Sequence, residues 1–81
     1  MKKIAYLISS IEEYGKFIAY CIDKDISVWR TYWNKEYIYH ISWKEKRCYY
    51  SSKQYYNFNG YDIRIPKFEI NEFDKYVLIE E

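Results

Sequence analysis

The chain has 81 residues, 23% of them aromatic, and its 13 basic and 12 acidic residues leave a formal net charge of +1. A chain of this length can build one hydrophobic core, so residues 1–81 are expected to form a single domain. The near-zero net charge argues against a general electrostatic binder of nucleic acid or of anionic membranes.

The first residues do not resemble a targeting segment. The apolar run Ile4 to Ile8 is too short for a signal peptide and Glu12-Glu13 interrupts it, while no stretch is long enough to span a bilayer. Cys21 and Cys48 lack CxxC spacing and read as buried thiols, with a disulfide or redox pair as the alternative. We therefore expect a cytoplasmic protein that makes no membrane contact.

A helix is predicted near the start of the chain. Apolar residues from Ile4 to Ile22 recur at helical spacing, and Ser10 with Glu13 has the form of a capping box. Gly15 leaves two alternatives: a helix that stops there and releases the residues up to Ile22 as a strand, or one longer helix. We favour the longer helix.

An antiparallel sheet is predicted next. Residues Ile26 to Trp33 and Glu36 to Trp43 alternate between apolar and polar, and Asn34-Lys35 between them has the length of a tight hairpin turn. Arg47 to Ser51 should return as a third strand. Three strands in this order make a β-meander.

The remaining chain predicts shorter elements. Ser51-Ser52 can cap a short helix or turn at Lys53 to Phe58, and Asn59-Gly60 can end it. Tyr61 to Ile65 reads as a strand, and one more strand is expected at Tyr76 to Ile79. The predicted fold is therefore α+β: an N-terminal helix packed on an antiparallel β-meander sheet, with a short second helix and a C-terminal strand or strands.

The predicted hairpin divides its aromatic residues between two faces. The more continuous apolar face should lie against the N-terminal helix, and its main members are Tyr32, Tyr37, Tyr39 and Trp43. The opposite face would hold Trp29, Trp33, Ile38 and His40. An exposed aromatic face of this kind is typical of a partner-binding surface, and the alternative is that the C-terminal segment covers it.

A second candidate surface is basic and rich in tyrosine. Bases can stack on aromatic rings while nearby cations meet phosphates, so this stretch is a candidate for binding single-stranded nucleic acid. Its residues are Lys46, Arg47, Tyr49, Tyr50, Lys53, Tyr55 and Tyr56.

Charge is distributed unevenly along the chain. Residues 44–67 carry six basic and two acidic residues, whereas residues 68–81 carry five acidic residues and one lysine. Glu69, Glu72 and Asp74 would form an acidic rim for binding a basic partner or for mimicking a phosphate backbone. Internal charge complementarity is the alternative.

Catalytic and metal chemistry find little support in the sequence. His40 is the only histidine, and the predicted register places it on the sheet face opposite Cys48, which argues against a Cys-His nucleophile pair. Gly15 and Gly60 stand alone, so no phosphate-cradling loop is present. We expect a binding protein without enzymatic activity, metal or cofactor.

The residue usage, heavy in Lys, Ile, Tyr and Asn, and the one-domain length resemble those of small proteins encoded by phages of AT-rich bacteria. That set includes anti-CRISPR and other anti-defence inhibitors, which are single-domain binders. The resemblance rests on size and composition over the whole chain and carries no motif. It implies an inhibitor that docks on a larger host protein, such as a nucleic-acid-binding effector, in the bacterial cytoplasm, with self-association as a further expectation.

Overall fold

The structure is a computed structural model that describes residues 2–79. Along this part of the chain the elements are β1 (Ile4–Leu7), α1 (Ile11–Asp23), β2 (Tyr37–Ser42), β3 (Arg47–Ser52), α2 (Lys53–Phe58), β4 (Asp62–Arg64), β5 (Lys67–Ile70) and β6 (Tyr76–Ile79). The predicted α+β class is confirmed.

The described strands form two sheets. Four of them lie in the order β3-β2-β1-β4, where β1 pairs antiparallel with β2 and parallel with β4. The other two, β5 and β6, form a separate antiparallel pair. The hairpin of β2 and β3 is confirmed, and its register pairs Ser42 with Arg47 so that residues 43–46 form the turn.

Helix α1 begins where the sequence indicates. The Ser10 hydroxyl accepts a hydrogen bond from the backbone N–H of Glu13 at 3.1 Å, which satisfies one of the free N–H groups of the first turn. The Glu13 carboxylate pairs with Lys16 at 3.0 Å. Because the helix continues through Gly15 to Asp23, the longer of the two alternatives is confirmed.

The extension of this helix back to Ile4 is wrong. The residues of β1 alternate between the two faces of the sheet: Ala5 is fully buried with Tyr56, whereas Tyr6 packs against the cluster that contains Phe17. Apolar residues in a strand with both faces covered also satisfy a helical spacing over four positions, so the local pattern was ambiguous.

The predicted hairpin turn at Asn34-Lys35 is also wrong, and residues 28–36 form a loop. Only Ser27 joins the sheet, through an isolated parallel bridge to Arg47. The loop packs on β2 through the Tyr39 hydroxyl, which donates to the carbonyl of Tyr32 at 2.9 Å and accepts from the Asn34 N–H at 3.1 Å. The place beside β2 that the meander assigned to this segment is taken by β1.

The elements after β3 agree more closely with those predicted from the sequence. Ser52 caps α2 by accepting from the N–H of Tyr55 at 3.2 Å, and Gly60 ends it with a φ of 76°. Strands β4 and β6 lie at the predicted positions, and β5 is an additional strand.

The core has two parts, one on each face of the four-stranded sheet. Phe17 of α1 contacts Tyr39 at a ring distance of 5.9 Å and Phe68 of β5 at 6.0 Å. On the other face, Tyr56 of α2 packs with Ala5 and Ile38. Helix α1 therefore lies between the sheet and the β5-β6 hairpin in this packing, and α2 covers the opposite face.

Both cysteines belong to the α1 side of the core. Cys21 and Cys48 are free and buried, as predicted. A hydrogen bond to the Cys21 thiol and burial together raise the pKa of the Cys48 thiol well above its ordinary value. Cys48 is therefore a neutral packing group at physiological pH.

Candidate functional site

The sequence predicts one exposed face that holds Trp29, Trp33, Ile38 and His40, and the structure separates these residues. Trp29 lies in the loop and is 67% exposed, with the guanidinium carbon of Arg30 4.4 Å from its ring centroid. Trp33 is partly buried, and its indole N–H donates to the carbonyl of Ile8 at 3.1 Å. Because the first strand of the predicted hairpin does not form, Trp29 and Trp33 do not lie in register beside β2.

Ile38 and His40 do share the face opposite α1, and α2 lies over it. Ile38 is 1% exposed beneath Tyr56, so its prediction as a surface residue is wrong. His40 Nδ1 is 2.8 Å from the Tyr56 hydroxyl oxygen, and its ring stacks on Tyr49 at 5.2 Å. Burial lowers the pKa of His40, so its imidazole is neutral at physiological pH. The predicted cover for this face is real, but it comes from α2 and not from the C-terminal segment.

The basic tyrosine-rich stretch is divided between several places. Tyr50 packs on the α1 side against Tyr37 at 5.0 Å, and Tyr56 is fully buried, so neither forms the predicted surface. Tyr49 lies on the opposite face, where the Arg47 guanidinium carbon is 5.2 Å from its ring. Tyr55 and Lys53 are exposed on α2.

The turn between β2 and β3 presents an exposed tryptophan among cations. Trp43 is 50% exposed, with Tyr20 edge-on at 6.5 Å and the Lys46 ammonium 5.8 Å from its ring. Lys44, Lys46 and Arg47 are exposed. We call Trp43, Lys44, Lys46 and Arg47 the basic turn surface.

The backbone of this turn is held in place. Lys46 adopts a left-handed φ of 56°, and the Ser42 hydroxyl accepts from the N–H of Glu45 at 3.2 Å. The N–H of Ser27 donates to the carbonyl of Lys46 at 2.8 Å, which fastens the loop to the turn. The Glu45 carboxylate accepts a hydrogen bond from the Tyr49 hydroxyl at 2.9 Å, so this acid is directed toward β3.

The turn between β5 and β6 is equally well defined but acidic. The Asn71 side-chain oxygen accepts from the N–H of Phe73 at 2.9 Å and from that of Lys75 at 3.1 Å, and Asp74 adopts a left-handed φ of 58°. This Asx arrangement directs Phe73 outward, where it is 71% exposed between Glu72 and Asp74.

Apolar surface continues from this turn onto α1. Ile22 is 61% exposed, and Ile70 is 58% exposed beside its cross-strand partner Tyr76. A groove of about 370 Å³ lies between α1 and the turn, lined by Ala19, Ile22, Asp23, Asp74, Lys75 and Tyr76. We call Ile22, Ile70, Glu72, Phe73 and Asp74 the acidic turn surface.

The predicted acidic rim is only partly brought together. Glu72 and Asp74 belong to the turn, whereas Glu69 is 3.3 Å from Lys67 on its own strand. The alternation of β5 places Glu69 on the face opposite Phe68. Glu80 and Glu81 lie outside the described residues.

The two turn surfaces meet at the C-terminal end of α1. Asp23 pairs with Lys75 of the hairpin at 3.0 Å, and Tyr20, one turn earlier, contacts Trp43. Lys24 lies between them, with its ammonium 5.8 Å from the Tyr20 ring. A basic and an acidic surface are therefore neighbours on one side of the molecule.

A larger groove of about 820 Å³ lies where the two sheets adjoin, lined by Tyr6, Ile63, Arg64, Ile65, Pro66, Lys67, Leu78 and Ile79. Its two cations are already compensated, because Arg64 pairs with Asp62 at 2.9 Å and Lys67 with Glu69 at 3.3 Å. Among the lining residues that the structure describes, none therefore carries an unpaired charge that could select a ligand.

Sequence reasoning missed the apolar residues of the acidic turn surface. The signal is the segment Asn71 to Asp74, in which one phenylalanine lies between two acids at a strand-to-strand turn. The helical spacing of apolar residues includes Ile22, which lies exposed at the C-terminal end of α1.

Comparison with protein-family models gives no match, and neither curated proteins nor solved structures provide a similar chain or fold. Of the helices within residues 2–79, none has the length and hydrophobicity that crossing a membrane requires. In the same residues, no three His, Cys, Asp or Glu side chains converge into a group that could hold a metal ion.

Proposed function

We propose that this chain is a protein-binding module that uses the acidic turn surface to dock on a larger protein with a basic surface. The observation that carries the proposal is Phe73, which is 71% exposed on a turn that Asn71 holds in one conformation.

Exposed apolar side chains favour a partner at this surface. Phe73, Ile70 and Ile22 are each more than half exposed, and burial of a side chain of this size contributes roughly 1.5–3 kcal/mol. A phenylalanine at the centre of a polar rim is a typical interface anchor. The groove lined by Ile22 and Tyr76 can accept a side chain of the partner.

The turn geometry lowers the cost of binding. A flexible loop would lose conformational entropy when it docks, whereas the bonds to Asn71 at 2.9 and 3.1 Å already order the backbone of Phe73 and Lys75. The ordering of this turn therefore subtracts less from the affinity.

The charge of the surface selects the class of partner. Glu72 and Asp74 are exposed, and the nearby cations Lys75 and Lys24 both pair with Asp23, at 3.0 and 3.9 Å. Such a surface fits a protein that presents basic residues around an apolar depression. Nucleic-acid-binding proteins are one class with basic surfaces. Together with the resemblance in size and composition, this supports an anti-defence inhibitor that occupies the nucleic-acid channel of a host effector such as a CRISPR nuclease.

The test is an affinity capture from host lysate treated with nuclease, followed by titration of the purified captured protein. Phe73→Ala should weaken its binding about tenfold or more, because a central aromatic anchor is lost. Phe58→Ala is the matched control, since Phe58 is 91% exposed on α2, away from the acidic turn surface.

Reversing a charge on the acidic turn surface gives a second test of the proposal. Asp74→Lys should slow association with the captured protein, and the effect should diminish as salt is raised. The proposal is overturned if Phe73→Ala and Asp74→Lys bind as the wild type does, or if Phe58→Ala alone abolishes binding.

A further inference from the structure

We propose that the basic turn surface is a second, separate binding site whose ligand is single-stranded nucleic acid. Trp43 would stack on a base, and Lys44, Lys46 and Arg47 would contact the backbone phosphates. The site differs from the predicted tyrosine-rich surface, because its ring is Trp43 and the tyrosines of that stretch are largely packed.

The first observation is the accessible indole. Trp43 is 50% exposed, and Tyr20 contacts its ring edge-on at a centroid distance of 6.5 Å. An exposed aromatic plane is the feature on which single-stranded nucleic acids stack, and it serves any base because every base has a π face. In a duplex the bases are already stacked on one another, so Trp43 cannot stack on them and adds no affinity for the duplex.

The second observation is that the cations are uncompensated. Among residues 2–79, no ion pair joins Lys44, Lys46 or Arg47 to a carboxylate, whereas Lys16, Lys67, Arg64 and Lys75 each pair with an acid. The Glu45 carboxylate of the same turn is engaged by the Tyr49 hydroxyl at 2.9 Å. Residues 44–47 therefore keep a net charge of +2 with Glu45 included. A phosphate would compete with the ring contacts that Lys46 makes with Trp43 at 5.8 Å and that Arg47 makes with Tyr49 at 5.2 Å.

The third observation is that the charges and the ring are held together. Ser27 fastens the turn at the carbonyl of Lys46 at 2.8 Å, and the N–H of Cys48 donates to the carbonyl of Ser27 at 2.9 Å. These bonds order the backbone of the turn that carries Trp43 and Lys46, and the Lys46 ammonium lies 5.8 Å from the ring centroid. The backbone of the site is thus ordered before a ligand arrives.

The experiment measures fluorescence anisotropy of a labelled single-stranded oligonucleotide of about ten nucleotides, a length that one small domain can cover. Trp43→Ala should raise the dissociation constant about tenfold or more through lost stacking. The double variant Lys44→Gln with Lys46→Gln should weaken binding and reduce the salt dependence of the affinity.

Matched controls separate the site from general charge and folding effects. Lys35→Gln with Lys53→Gln makes the same charge change at exposed positions elsewhere, and Tyr55→Ala removes a ring that is 48% exposed on α2. Both should bind as the wild type does. Trp43→Phe keeps an aromatic plane against Tyr20, so it should retain most of the affinity even if Trp43→Ala is poorly folded.

Three outcomes would overturn the proposal: no binding at low salt, equal affinity for a duplex of the same sequence, or equal losses in the test and control variants. Binding that depends on salt but not on Trp43 would also overturn it, since it would identify a general anion surface. Phe73→Ala should leave oligonucleotide binding unchanged, so the two proposed sites can fail independently.

Discussion

The turns of the β2-β3 and β5-β6 hairpins have similar backbone geometry and opposite charge. Each turn contains one residue with a left-handed φ, Lys46 at 56° and Asp74 at 58°. Each also exposes an aromatic ring, Trp43 at 50% and Phe73 at 71%. Comparable backbone geometry thus supports a basic surface in one hairpin and an acidic one in the other.

The two hairpins differ in what supports them. Strands β2 and β3 belong to the four-stranded sheet, with α1 on one face and α2 on the other. Within residues 2–79, strands β5 and β6 pair only with each other. They are held on α1 by the packing of Phe68, Tyr76 and Leu78 and by the Asp23–Lys75 ion pair. A two-stranded unit with one buried face has less apolar surface to stabilise it, so we expect the β5-β6 hairpin to be the less stable of the two.

The largest expected effect is the loss of stability when the buried aromatic residue of either hairpin is replaced. Tyr39→Ala should lower the free energy of unfolding by about 4 kcal/mol, and Phe68→Ala by about 3 kcal/mol. Tyr39 costs more because its hydroxyl also satisfies the Tyr32 carbonyl and the Asn34 N–H. Urea denaturation measures both values, with the exposed Phe58→Ala as the control.

Hydrogen exchange sharpens this comparison. In Phe68→Ala the amides of β5 and β6 should lose protection before those of β2 and β3, because only the smaller sheet loses its anchor. Equal loss of protection in the two sheets would show that the hairpins unfold as one unit and that the proposed difference in support is wrong.

An intermediate effect concerns the turns themselves. Asn71→Ala removes two hydrogen bonds to the acidic turn, at 2.9 and 3.1 Å, and should cost about 1 kcal/mol of stability. Ser42→Ala removes one bond at 3.2 Å from the basic turn and should cost less, since Ser27 still fastens it. Thermal denaturation tests the order, and a greater loss for Ser42→Ala would contradict it.

The smallest expected effect is a pH dependence carried by His40 in the four-stranded sheet. Burial lowers its pKa below the ordinary value of 6.5, and the nearby Glu45 carboxylate opposes this only in part. The groups around the ring are the Tyr56, Tyr49 and Tyr61 phenols. As the pH falls, the unfolded chain therefore binds a proton at His40 before the folded protein does. The contribution of neutral His40 to the free energy of unfolding is complete above pH 6.5 and is lost as the pH falls toward the folded pKa.

Urea midpoints measured at a pH of about 7.5 and of about 5.5 lie on either side of the ordinary pKa of 6.5. His40→Gln should lose less stability over that interval than the wild type does. An equal or greater loss in His40→Gln would show that His40 is not the group responsible.

Much of the local structure was predictable because its causes are local. Ser10 and Ser52 cap the two helices through hydrogen bonds to residues three positions ahead, and Gly60 ends the second helix with a positive φ. The β2-β3 hairpin was predictable for the same reason, since strand alternation and a short polar turn lie within one segment.

The candidate sites were harder to predict, because exposure depends on distant partners. Alternation predicts a strand at Ile26 to Trp33, yet Ile26 is buried, Trp33 bonds to Ile8 and Arg30 turns the chain with a φ of 63°. Either the segment Ile26 to Trp33 or β1 could pair with this edge of β2, and the alternation of apolar residues alone does not decide which of the two does.

The amino-acid sequence by itself determined the helix caps, the β2-β3 turn and the separation of a basic segment from an acidic one. Only the tertiary structure decided which aromatic rings are exposed, because that depends on the pairing of β1 with β2 and on α2 covering Ile38. Non-local packing therefore buried part of the predicted surface and left Trp43 and Phe73 at the two turns.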